Sequence, residues 1–121
     1  MNKRETGANK ETLAVEYLTK QGMLIKNRNF RCRQGEIDVI GYHNSCLVFV
    51  EVKYRRTEAF GKAEEAVDFR KQYKICRVAD YYRYLHWIGD DFPVRYDVVA
   101  VQGTEINWIQ NAFPHIYAHR Q

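Results

Sequence analysis

The longest uninterrupted apolar run in the chain is Cys46–Val50, five residues that continue as Glu51-Val52-Lys53. A run that short falls far below the ~20 residues a membrane-crossing helix needs. Its Val and Phe content, after the turn residues His43-Asn44-Ser45, reads as a β-strand. Alternation sends Val48, Val50 and Val52 to one face and Phe49, Glu51 and Lys53 to the other. A carboxylate and an ammonium therefore project side by side from the end of an otherwise apolar strand. Taken alone, the pair is accounted for by an exposed strand end with a surface ion pair.

The rest of the chain supplies partners for that strand. A helical pattern runs from Glu5 to Gln21 with Gly22 as its stop, and Met23–Arg33 reads as a strand bearing Lys26, Arg28, Arg31 and Arg33. Gln34-Gly35 turns into a second strand, Glu36–Tyr42, ahead of Cys46–Lys53. Residues 54–66 read as loop. A second helix is expected from an Asp68 N-cap to about Trp87, with a stripe of Ile75, Val78, Ala79, Tyr82 and Leu85. Val94–Val101 and Glu105–Ile109 complete an α-β-β-β-α-β-β order. Two helices need a sheet to cover, so the expected class is α/β, a mixed sheet of about five strands flanked by two helices. At 121 residues the chain is one domain, 1–121.

Composition narrows the function classes. Nineteen Lys and Arg against fifteen Asp and Glu give a formal charge of +4, which admits a nucleic-acid partner without demanding one. The charged N-terminus leads into no apolar core, so no secretory signal is expected. Cys32, Cys46 and Cys76 form no CxxC motif, and reduced thiols in a cytoplasmic protein follow. Nothing resembles a nucleotide-cofactor motif or a Ser-His-Asp set. His115 and His119 are four apart, as helical metal ligands are, but no Cys or acid of matching spacing joins them, and they read as a surface tail. Arg95 and Asp97 share a strand face and are expected to pair beside the site.

Neighbouring strands give the Glu51–Lys53 end more weight. A hairpin centred on Asn44-Ser45 puts His43 opposite Cys46 and Asp38 opposite Glu51, with side-chain roots ~4.5–5.5 Å apart on one face. Two carboxylates so placed repel unless something positive lies between them. Lys53 supplies part of that charge, and a divalent cation such as Mg²⁺ would supply more. Glu11 opens the helix stripe Glu11, Ala14, Val15, Leu18. It is explained equally by the helix dipole in a solvated first turn and by a site.

In order, these residues resemble the PD-(D/E)XK nuclease superfamily: Glu11, then Gly35-Glu36-Ile37-Asp38, then Val50-Glu51-Val52-Lys53. The spacing is similar to archaeal-type Holliday junction resolvases. More closely, the chain resembles the small bacterial family typified by YraN, through Gly7, Glu11, Tyr17-Leu18 and Gly22, through Leu47–Lys53 with Arg55, and through Gly61, Ala66-Val67, Lys71 and Arg95–Val99. It departs from that family in having Lys10 where a Gly usually precedes the helix Glu.

The resemblance implies a restriction-endonuclease-like fold and a Mg²⁺- or Mn²⁺-dependent nuclease acting on DNA, including branched recombination and repair intermediates. It implies Glu11, Asp38, Glu51 and Lys53 as catalytic residues. Asp38, Glu51 and the Val52 carbonyl would ligate the metal, and Glu36 would support Asp38. Lys53 would orient the attacking water or stabilise charge on the phosphate.

Twelve of the nineteen cations fall in two stretches flanking these acids, and Arg31, Arg33, Arg55, Arg56, Lys71 and Lys74 are the expected phosphate contacts. A junction cutter is expected to be a homodimer. The rival reading is a catalytically silent DNA-binding protein of the same fold.

Overall fold

The computed structural model describes residues 3–54 and 67–119, with side chains from residue 9 onward. Two helices and five strands follow in the expected order: α1 (Lys3–Lys20), β1 (Leu24–Cys32), β2 (Gly35–His43), β3 (Cys46–Tyr54), α2 (Phe69–Leu85), β4 (Val94–Gln102) and β5 (Glu105–Phe113). The strands form one sheet in the order β1-β2-β3-β4-β5. Of these pairs β3 and β4 run parallel, joined by the crossover that contains α2; the other pairs are antiparallel. The expected α/β architecture is the one observed. No helix among the described residues is long and apolar enough to cross a membrane.

Local chemistry sets the boundaries. Gly22 leaves α1 at φ 99°, and the Met23 N–H returns to the Leu18 carbonyl at 3.0 Å, a C-terminal closure that a side chain at Gly22 would strain. The β2–β3 turn carries Asn44 and Ser45 at φ 50° and 66°, as a two-residue type I′ hairpin turn requires. The Asp68 carboxylate caps α2 by accepting from the Lys71 N–H at 2.8 Å. That helix ends at Leu85, short of Trp87, where the chain turns at φ 56°. β5 runs four residues past the expected Ile109.

Both faces of β3 are covered, so its alternation divides the core. Leu47 and Phe49 point into a cluster beneath α2 with Ile40, Ile75, Val78, Ala79, Tyr82, Tyr96 and Val98. Val48 and Val50 point into a second cluster beneath α1 with Ala14, Leu18, Val39, Val99 and Val101. Each such side chain contributes roughly 1.5–3 kcal/mol by leaving water. Gly41 on β2 sits where β1 comes closest: a Cβ there would meet the Leu24 carbonyl oxygen at 2.6 Å. Gly41→Ala is expected to lower unfolding free energy by about 1–3 kcal/mol in urea titration. An unchanged midpoint would mean that β1 moves aside freely.

The candidate metal and phosphodiester site

The carboxylates meet where the β2–β3 ladder ends. His43 faces Cys46 and Val39 faces Val50, the register expected from the turn. One step further the backbones part, and the Asp38 Oδ2 accepts the Val52 N–H at 2.8 Å in place of a strand carbonyl. On the other side of β2 the pairing also skips Asp38: Arg28 faces Val39 and Phe30 faces Ile37, with Asn29 between them at φ 54°. Strict alternation breaks here too. Ile37 and Ile40 pack in the α2 cluster while Val39 packs under α1.

Glu51 continues the Leu47–Phe49 row on the α2 face, and it is 7% exposed. The Lys53 ammonium lies 3.9 Å from its Oε1 and that of Lys71 3.9 Å from its Oε2. Burial pushes the Glu51 carboxyl up to about 8, helped by the negative charge of Asp38 and a hydrogen bond between the two side chains; Lys71 and Lys53 oppose the shift without cancelling it. Their weakness is physical: neither reaches hydrogen-bond distance, and Lys71 is 41% exposed, where water screens it. The result is an acid pair, one member buried and the other half-buried, short of positive charge.

The other expected residues are distributed around this pair. Glu11 does not join it; its Oε1 accepts from Arg28 at 3.2 Å and from the Asn29 amide at 3.0 Å. Through Asn29 it is tethered to the β1 position that flanks Asp38. Among the described residues no three His, Cys, Asp or Glu side chains gather as a metal-binding group. Glu36 pairs with Arg31 at 3.4 Å on the exposed side of the β1–β2 hairpin. Arg33 and Lys74 are exposed. Arg55 and Arg56 lie outside the described residues.

Sequence reasoning assigned Lys71 to phosphate contacts and missed its approach to Glu51. The signal was present: Lys71 stands four residues before Ile75 and extends the buried stripe of α2 by one turn.

Asp97, expected beside the site, is on the opposite face. Parallel register places it next to Val50, whereas Glu51 neighbours Val98. There it is fully buried and accepts from Arg95, from Trp108 Nε1 at 2.8 Å and from the Asn111 N–H at 2.9 Å. The tail is also more engaged than its sequence suggests, since His115 Nδ1 lies 2.7 Å from the Tyr96 hydroxyl and its Nε2 lies 3.4 Å from Asp80.

Comparison with known proteins places the chain. The family model described as "Uncharacterised protein family UPF0102" matches residues 10–101. A UPF0102 protein of Alkaliphilus oremlandii is 48% identical over 118 residues, covering 93% of this chain and 100% of the relative. One from Lachnoclostridium phytofermentans is 47% identical over 113 residues, 93% of this chain and 96% of the relative. A third, from Caldicellulosiruptor bescii, is 43% identical over 119 residues, 93% and 100% of the two chains. A match over most of the chain's length, at these identities, makes this protein a member of the UPF0102 family.

Proposed function

We propose that the chain is a metal-dependent nuclease of the PD-(D/E)XK kind, hydrolysing DNA phosphodiester bonds, with branched or repair-related DNA as its substrate. The observation that carries this reading is the pairing of half-buried Asp38 with buried Glu51, the latter flanked by two lysines. An acid pair held against its own repulsion is costly to ionise and is relieved by a hard cation. The donor set suits Mg²⁺ or Mn²⁺: carboxylate oxygens of Asp38 and Glu51 stand together, and Mg²⁺ binds through one or two carboxylates while keeping several waters. The Val52 carbonyl is the third protein ligand in this reading.

Bound there, the ion would polarise a phosphate oxygen and acidify a water. The chain's own groups do the remaining work. Lys53 sits beside Glu51, where an ammonium stabilises charge developing on a phosphate or orients the attacking water. Lys71 approaches the other Glu51 oxygen and presents a second cation to the same place. Glu11, bound to Arg28 and Asn29, steadies the β1 segment that flanks Asp38. The ordered resemblance to the superfamily supports the same assignment, as does the clustering of Lys and Arg in the sequence on either side of the acids. A homodimer follows from this reading if the substrate is a symmetric junction.

The test is incubation of the protein with labelled branched, single-stranded and duplex DNA in Mg²⁺, in Mn²⁺ and in EDTA. Metal-dependent cleavage is expected on at least one DNA, and Lys53→Ala should lower its rate by about 10²–10³. Cleavage that persists undiminished in Lys53→Ala, or no cleavage of any DNA, overturns the proposal. A catalytically silent DNA-binding protein would instead bind DNA equally well in EDTA and keep or gain affinity in Asp38→Ala, because a repulsion toward phosphate is removed.

A further inference from the structure

Along the first turns of α2, the helix that also carries Lys71, three chain segments enclose an open groove of about 480 Å³. The first turns of α2 form its floor, Gln34 of the β1–β2 turn one wall, and His119 of the tail the other. Its size falls in the ~300–1,000 Å³ range of small-ligand sites.

The lining combines aromatic surface with positive charge. Phe69 is 63% exposed, a large apolar ring left open to water at the head of a helix. One turn on, the Tyr73 ring is fixed by the Arg77 guanidinium 4.6 Å from its centroid and by His119 stacked against it at 5.2 Å. Arg77 is itself held by the Ile116 carbonyl and by Asp80. Arg70 and Lys74 are exposed and form no ion pair among the described residues. Among those residues no carboxylate lines the groove; the neighbouring Asp68 is turned to the Lys71 N–H.

We propose that this groove binds an unpaired nucleotide of a DNA strand, with its base on Phe69 and the flanking phosphates on Arg70 and Lys74. A base inside a duplex has both faces covered, whereas an unpaired base offers a face to an aromatic ring. Cations spaced along one helix face match the phosphates on either side. Position supplies the connection to chemistry. Lys71 lies between Arg70 and Lys74 in sequence and reaches Glu51 at 3.9 Å, so groove and acid pair share the first two turns of α2. The choice of DNA, and the fate of a strand bound here, rest on the nuclease reading. The single-strand preference itself does not.

Binding is therefore measured in EDTA, by fluorescence anisotropy with a labelled thymidine strand and a blunt duplex of equal length. The single strand should bind about tenfold more tightly. Phe69→Ala should weaken single-strand binding about five- to tenfold and duplex binding by less than about twofold, while Phe69→Trp restores the preference. Equal affinity for the two DNAs, or a Phe69→Ala protein that keeps the preference, overturns the groove. An RNA strand preferred over DNA overturns the choice of DNA. Should wild type fail to cleave any DNA while the Phe69-dependent preference holds, the nuclease reading falls and the groove stands. Cleavage without that preference does the opposite: the groove falls and the nuclease reading stands.

Discussion

Asp97→Ala is expected to cost about 3–5 kcal/mol of folding free energy, a larger stability loss than any other substitution in this chain named above or below. The carboxylate has no exposure, and its two oxygens accept from Arg95 Nε at 2.9 Å, Arg95 Nη2 at 2.9 Å, Trp108 Nε1 at 2.8 Å and the Asn111 N–H at 2.9 Å. It occupies a break in the β4–β5 ladder, where register shifts between Tyr96 and Val98 and Asn111 adopts φ 54°. The carboxylate thus replaces a strand carbonyl that the irregular pairing withdraws. Its removal leaves an indole N–H and a backbone N–H without an acceptor, and a largely buried guanidinium with His43 Nδ1, 3.0 Å from its Nη2, in place of a carboxylate. Urea titration measures the loss. The comparison is Glu36→Ala, whose ion pair with Arg31 is exposed and should be worth less than about 1 kcal/mol. A loss of that small size in Asp97→Ala would show that water or a rearranged strand replaces the carboxylate.

Glu51→Gln is expected to divide stability from activity. The folded protein raises this carboxyl from 4.5 to about 8, so folding favours its protonated form. Its contribution is fully present below about pH 4.5 and is lost as pH rises to about 8. Glutamine keeps the shape of the neutral acid and does not ionise. The variant should match wild type near pH 4.5 and exceed it at pH 9 by at least about 1 kcal/mol, or roughly 4 °C in Tm. The same change removes a metal-binding oxygen in the proposed site. Cleavage should fall by about 10³-fold or more, and Mg²⁺ should raise the Tm of wild type but not of the variant. Thermal unfolding at the two pH values, with and without Mg²⁺, reads all of this. A variant less stable than wild type at pH 9 in EDTA would mean that the lysines dominate the acid pair.

The fold was legible because its local signals agree with one another. Gly22, Asn44-Ser45 and Asp68 mark two helix boundaries and a turn by backbone chemistry alone, and the turn sets the β2–β3 register that brings Asp38 to Glu51. What could not be read depends on long-range register. Nothing in the sequence of β4 says that Asp97 lies alongside Val50 and not Glu51, because parallel pairing is fixed by the α2 crossover. β5 reads as ending at Ile109 because Gln110 and Asn111 interrupt its pattern, yet Asn111 is held in place by Asp97. Glu11 was equally ambiguous: helix spacing gives its face, but its partners Arg28 and Asn29 belong to another element. The site follows the same division, since the acids and Lys53 lie on a local hairpin and Lys71 arrives from beyond it.

The central position of β3 has a consequence for how the chain is made. Its parallel partner β4 is synthesised only after α2, so β3 first exists with one edge unpaired and with the Leu47–Phe49 face uncovered. Open-edged strands of high β-propensity are the segments most prone to join strands of other chains. Glu51 and Lys53 interrupt this one with alternating charge just where its apolar run would otherwise continue through Val52. Two of the residues proposed for phosphodiester chemistry thus also close off an aggregation-prone stretch of the nascent chain. Substitutions that neutralise both will be judged fairly only when soluble yield is measured alongside activity.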